Sequence, residues 1–109
     1  MTLLGLVSLT AFATAECFVR ARVVHRKSGK PCKQMLILVN SVGATNGDTT
    51  DNAGYCGINF SVSMSEYSRI SFYAVRKAGD TVLLKSFLRF PKSFKIVSDQ
   101  EYSTTFYLP

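Results

Sequence analysis

Thr50-Asp51-Asn52-Ala53-Gly54-Tyr55-Cys56-Gly57-Ile58-Asn59-Phe60-Ser61-Val62 is the stretch whose reading decides the fold. Asp51 and Asn52 can fold back onto local backbone amides, and Gly54 suits the conformation that a Cβ resists. From Tyr55 the side chains alternate: Cys56, Ile58, Phe60 and Val62 on one face, Gly57, Asn59 and Ser61 on the other. Period two is the mark of a half-buried strand rather than a helix. Upstream, Gly29-Lys30-Pro31 makes another reversal, in which Pro31 fixes its own φ and pushes Lys30 into extended geometry, so that a strand restarts at Met35.

The same alternation extends in both directions. Cys17, Val19, Ala21 and Val23 form a core face opposite Phe18, Arg20, Arg22 and Val24. Gln34 to Val42 is apolar on both sides, as in a central strand whose outer face is partly covered. Asn46-Gly47 is a hairpin signal that leaves room for only a very short edge strand. Ser63 to Tyr67 reads as a polar linker, and Arg69 to Arg76 as a strand with Ile70, Phe72 and Ala74 on one side. Ala78-Gly79-Asp80 reverses the chain into Thr81 to Phe90, which Pro91 ends; Phe94 to Val97 and Tyr102 to Leu108 are the last strands. No helix is predicted. Turn signals recur roughly every 8–12 residues, which predicts an all-β, antiparallel two-sheet sandwich of about seven to eight strands.

The 109 residues suffice for one domain, and 47% hydrophobic with 18% charged residues is the composition of a folded chain. Residues 1–15 carry no charged side chain, are apolar from Leu3 to Phe12 and end in Ala13-Thr14-Ala15, which predicts a secretory signal peptide and a mature domain over 16–109. The run falls short of the about 20 apolar residues of a membrane span, so no transmembrane segment is expected. The net charge of +6 then falls wholly on the mature domain. Its cations are spread over several strands and turns, which suits either an ordinary soluble surface or attraction to an acidic surface, lipid headgroup or glycan. Nucleic acid is not an expected partner of a secreted chain without a known reader motif.

Cys17, Cys32 and Cys56 all lie in the mature chain, where an oxidising compartment predicts one disulfide and one leftover thiol, with the pairing open. Their spacing, and a single histidine, His25, argue against a metal site. Asp48, Asp51 and Asn52 are better explained as turn formers than as a calcium loop. Asn59-Phe60-Ser61 makes Asn59 a candidate glycosylation site, although chance occurrence within a strand is the plainer explanation.

A first strand, Gly29-Lys30-Pro31, an aliphatic strand and then Thr50-Asp51-x-x-Gly54-Tyr55 resemble the prealbumin-like sandwich of transthyretin and carboxypeptidase regulatory-like domains. The resemblance is closest to the secreted nematode transthyretin-like family. Glu101-Tyr102-Ser103-Thr104-Thr105 looks like the last strand of transthyretin, and Phe90-Pro91-Lys92-Ser93-Phe94 with Tyr102 ahead is similar to the end of the nematode proteins. This chain departs from the family in lacking the nematode cysteine before the Gly-x-Pro turn and the later His-x-Cys pair. It also leaves no room for transthyretin's helix between Lys77 and Asp80.

The resemblance includes one enzymatic branch, the hydroxyisourate hydrolases, whose first-strand histidine is replaced here by Arg22, seven residues before Gly29. Arginine stays charged and cannot act as a base. The terminal Tyr-Arg-Gly-Ser of that branch is absent too: the chain ends Thr105-Phe106-Tyr107-Leu108-Pro109. His25 suits an exposed strand end. Neither an enzyme nor a cofactor is therefore expected. The leading expectation is a secreted, extracellular binding or adaptor module that contacts an extracellular protein or acidic surface through Arg20, Arg22, Lys85 and Arg89. One alternative is a self-assembling, homo-oligomeric structural subunit using Leu36, Leu38 and Tyr107. A small-molecule carrier for a hormone-like or lipid ligand is the other, since Arg22 falls where transthyretin has a lysine at its channel mouth.

Overall fold

The computed structural model describes residues 14–63, 69–88, 94–98 and 101–109. Expectations for the leader over 1–13, for most of the 63–67 linker, and for Arg89, Phe90, Pro91, Lys92 and Ser93 lie outside the described residues. Eight strands are present: β1 Thr14–His25, β2 Leu36–Ser41, β3 Ala44–Thr49, β4 Tyr55–Ser63, β5 Ile70–Val75, β6 Thr81–Phe87, β7 Lys95–Ser98 and β8 Glu101–Leu108. They form two four-stranded sheets, β4-β1-β8-β7 and β3-β2-β5-β6, so the chain is an all-β sandwich. Strand pairs are antiparallel except β1 with β8, which run parallel from Phe18↔Glu101 to His25↔Leu108. The strictly antiparallel sheet expected from sequence is corrected at this pair. Its two strands are far apart in the chain, so no hairpin turn sets their relative direction.

Alternation places the core as the sequence implies. Cys17, Val19, Ala21 and Val23 of β1 and Cys56, Ile58 and Phe60 of β4 face Ile37 and Val39 of β2 and Ile70, Phe72 and Ala74 of β5, all buried. Phe72 is the centre, wholly buried, with ring centroids 4.9 Å from Phe106, 5.8 Å from Phe60, 6.0 Å from Phe94 and 6.1 Å from Phe87. Each such ring taken out of water contributes about 1.5–3 kcal/mol, and edge or offset contacts add to it. Val24, on the outer face by alternation, is nevertheless only 6% exposed. It lies between Tyr107 of β8 and Pro31, which bridges to it after the Gly29 turn.

Turn chemistry agrees with the sequence at two places and differs at a third. Gly29 takes φ 73° and its N–H donates to the His25 carbonyl at 2.8 Å. Asp51 Oδ1 accepts from the amides of Ala53 and Tyr55, both at 2.9 Å, while Gly54 takes φ 86°. Beside this turn the buried Thr50 hydroxyl donates to the Cys32 carbonyl at 2.6 Å and accepts from the Met35 amide at 2.9 Å, tying the two reversals together. The β2–β3 hairpin, however, turns at Val42-Gly43, whose φ values are 52° and 72°, and Asn46 and Gly47 pair with Val39 and Leu38 inside a six-residue β3. Gly47 serves packing instead: a Cβ there would stand 2.8 Å from Leu38 Cδ2 and 3.0 Å from the Ile37 carbonyl oxygen.

Polar ties join the sheets on one flank. Gly57 N–H donates to Asp48 Oδ2 at 2.8 Å, and the Ser41 hydroxyl donates to the Ser61 carbonyl at 2.7 Å. On the opposite flank, β6 lies near β8, and the site described next opens there.

Candidate functional site

The register of the first sheet builds a basic surface row by row. Lys95 of β7, Ser103 of β8, Arg20 of β1 and Gly57 of β4 are consecutive partners across one row; Thr105, Arg22 and Tyr55 form the next. Arg20, Lys95 and Thr105 are exposed, whereas Arg22 is half-buried. Its Nε donates to the Ala53 carbonyl at 3.2 Å and its guanidinium carbon lies 5.5 Å from the Tyr55 ring centroid, a cation–π distance. Arg26 continues the basic strip past the end of β1, its amide bonded to the Leu108 carbonyl at 2.9 Å.

Lys85 reaches the same place from the second sheet. Alternation along β6 predicts an outward side chain, but the register jumps between Phe72↔Lys85 and Tyr73↔Leu83, leaving Leu84 as the extra residue. This bulge puts Lys85 on the same side of β6 as core-packed Phe87, and it lies at the rim of the gap between the sheets. Re-aiming a side chain is a recurrent consequence of such bulges.

The result is an open groove of about 680 Å³ lined by Arg20, Arg22, Arg26, Lys85 and Lys95, by the hydroxyl residues Ser103, Thr104, Thr105 and Tyr107, and by apolar walls that include Tyr55, Leu84, Phe94 and Phe106. Among the described residues its lining contains no Asp, Glu, His or Cys. Such a site can bind anionic groups by charge and hydroxyl donors.

Of the predicted contact residues the structure brings together Arg20, Arg22 and Lys85; Arg89 lies outside the described residues. Sequence reading did not assign Arg26, Lys95 or Tyr55 to this surface, and gave Tyr107 to a self-association face instead. Tyr55 could have been found from its outward alternation two residues from Gly57, whereas Lys95 and Tyr107 depend on a pairing that local pattern does not encode. The apolar set Leu36, Leu38 and Tyr107 is divided: the leucines belong to the second sheet and Tyr107 to the first.

Cys17, Cys32 and Cys56 are buried free thiols, so the expected bridge is not formed here. Cys17 pairs with Phe60 while Cys56 pairs with Ala21, a separation of four strand residues, or about 13 Å, which is beyond disulfide reach. Burial, followed by the charges of Asp48 and Asp51, pushes the Cys56 thiol up to about 12. Burial also raises Cys17, with a further contribution from Glu16, and Cys32. These are not nucleophiles at neutral pH. His25 is exposed at the end of β1, outside the groove lining. Asp48 and Asp51 both accept backbone amides, as turn and edge residues do. Among the described residues no three His, Cys, Asp or Glu side chains gather as metal ligands. Asn59 is exposed on β4, and the Ser61 hydroxyl of its sequon donates to the Glu16 carboxylate. Among the described residues no helix is long and apolar enough to cross a membrane.

No family model and no curated protein matches the chain. Among solved structures, it is similar to a 9R-lipoxygenase from Cyanothece PCC8801, with a TM-score of 0.46 and 11% identity over 83% of this chain. The chain spans 16% of the length of that protein.

Proposed function

We propose that this chain is a secreted, non-enzymatic binding module of transthyretin-like architecture that holds a polyanionic partner in the β1–β8 groove. The observation that carries this reading is the convergence of five cations from both sheets, Arg20, Arg22, Arg26, Lys85 and Lys95, on a row of hydroxyls, with no carboxylate among the described lining residues. Like charges held close repel one another, and an anion seated among them relieves that repulsion. It also gains hydrogen bonds stronger than those between neutral groups. Arg22 is already positioned by Ala53 and Tyr55, which reduces the ordering cost on binding.

Heparin serves as the probe. The triple variant R20E/K85E/K95E is expected to elute from immobilised heparin at clearly lower salt and to bind at least about ten-fold more weakly, since each exposed cation near such a surface is worth about 1 kcal/mol. K27E/K30E/K33E, which makes the same change in net charge around the Gly29 turn, outside the groove lining, should retain most of the affinity. Equal losses in the two variants would reduce the groove to general charge and overturn the reading.

A second reading, self-association, is favoured by the outer face of the second sheet. Leu36 lies beside Val75, and Leu38, Tyr73 and Leu83 form one row, with Leu83 54% exposed. Sedimentation velocity across a concentration series should detect a dimer that L36E/L83E abolishes; a concentration-independent monomer removes this reading.

A further inference from the structure

Deepening the polyanion reading, on which it rests, we propose that the partner is an anionic lipid surface, docked by the groove's lysine side together with an apolar fringe formed by Leu88, Ile96 and Val97. Phe87 at the end of β6 and Phe94 just before β7 pack with ring centroids 5.3 Å apart, so Leu88, which follows Phe87, and the Lys95-Ile96-Val97 run, which follows Phe94, leave from one ring contact. β7 pairs only with β8 among the described strands, and its register shifts between Ile96 and Ser98, leaving Val97 without a register partner. Ile96 and Val97 are 71% and 59% exposed and Leu88 is 47% exposed, at the very edge where Lys95 and Lys85 enter the groove.

Scattered single aliphatics on a surface need no explanation, but three together at an edge bordered by lysines form an amphipathic margin. Lysines lie at the level of anionic headgroups, and the aliphatic side chains enter the acyl boundary beneath them. The fringe also decides between anionic partners. A sulfated or carboxylated glycan presents charge without an apolar phase and offers Ile96 and Val97 nothing, whereas a bilayer satisfies both halves of the margin. Among the described residues, Glu101, paired with Ser98 at the end of β7, is a carboxylate near the fringe that opposes docking and limits it to strongly anionic membranes.

The chain has no tryptophan, so Ile96→Trp places a single indole reporter at the fringe. With vesicles of phosphatidylserine and phosphatidylcholine this variant is expected to show a blue-shifted, more intense emission, and with phosphatidylcholine alone no change. In co-sedimentation, the charge-neutral I96S/V97S should lose at least ten-fold in affinity for the anionic vesicles while eluting from heparin unchanged, and K85E/K95E should lose both. Val97→Trp provides the same optical readout if Ile96→Trp folds poorly. Unshifted emission with anionic vesicles, or vesicle binding indifferent to I96S/V97S, overturns the lipid assignment and leaves the polyanion reading standing. Loss of heparin binding in none of the groove variants removes that underlying reading instead. Concentration-dependent association that I96S/V97S abolishes without vesicles would mark the fringe as a contact between chains and likewise overturn the proposal.

Discussion

Gly54 and Gly79 separate two costs that are usually confounded. Both take positive φ, 86° and 90°, but a Cβ on Gly54 would stand 2.6 Å from the Val23 carbonyl oxygen and 3.1 Å from Pro31 Cβ, whereas nothing lies within 4 Å of one on Gly79. Gly79→Ala should therefore lose only the backbone term, about 1 kcal/mol, and Gly54→Ala about 3 kcal/mol or more, as urea midpoints would record. Asp51 offers a pH test at the same turn. The amides of Tyr55 and then Ala53 hold its carboxyl below the ordinary value. Its contribution is complete above the unfolded-state pKa of about 3.9 and is lost as pH falls through the lower folded value. The Tm advantage of the native chain over Asp51→Ala should be constant near neutrality and shrink below about pH 4. An advantage that grows with acidification would contradict the assignment.

At the scale of elements, the β2–β3 hairpin carries a β-branched residue where its turn least tolerates one. Val42, with φ 52°, precedes Gly43, with φ 72°, in a two-residue turn between Ser41 and Ala44. Positive φ at both central positions belongs to Asn-Gly, so Val42→Asn should raise stability by about 1 kcal/mol, read as an increased denaturation midpoint without a change in slope. Sequence logic alone assigned that turn to Asn46-Gly47, the better local signal. Packing prevailed because the Val42-Gly43 turn places Ile37, Val39 and Ser41 on the buried face and sets Gly47 beneath Leu38. The β6 bulge teaches the same lesson: strict alternation sends Lys85 outward, and one extra residue brings it to the groove.

For the whole molecule, stability depends on the aromatic cluster around Phe72, which gathers Phe60 of β4, Phe87 of β6, Phe94 ahead of β7 and Phe106 of β8 around one ring of β5. Phe72→Ala removes the central ring, and the surrounding sheets can collapse only partly onto the void. The expected loss is about 3–5 kcal/mol by chemical denaturation. A loss below 1 kcal/mol would mean that the two layers do not enclose this core. Asp48 and Ser41 tie the second sheet to β4 on one flank of the sandwich, and Lys85 and Lys95 reach the groove from the other, where β6 lies near β8.

Side-chain period and turn residues by themselves determined the strands other than β3, the alternating buried faces of β1, β4 and β5, the Asp51–Gly54 reversal and the outward placement of Arg20 and Arg22. These follow from rules acting over a few residues: alternate side chains fall on opposite faces of a strand, and only certain residues accept positive φ. Tertiary structure alone decided that β8 joins β1 in parallel, that Lys95 and Tyr107 share a surface with the arginines, and that Lys85 turns toward them. Those outcomes depend on pairings between distant segments and on a bulge, and their energies arise only when the sheets pack together.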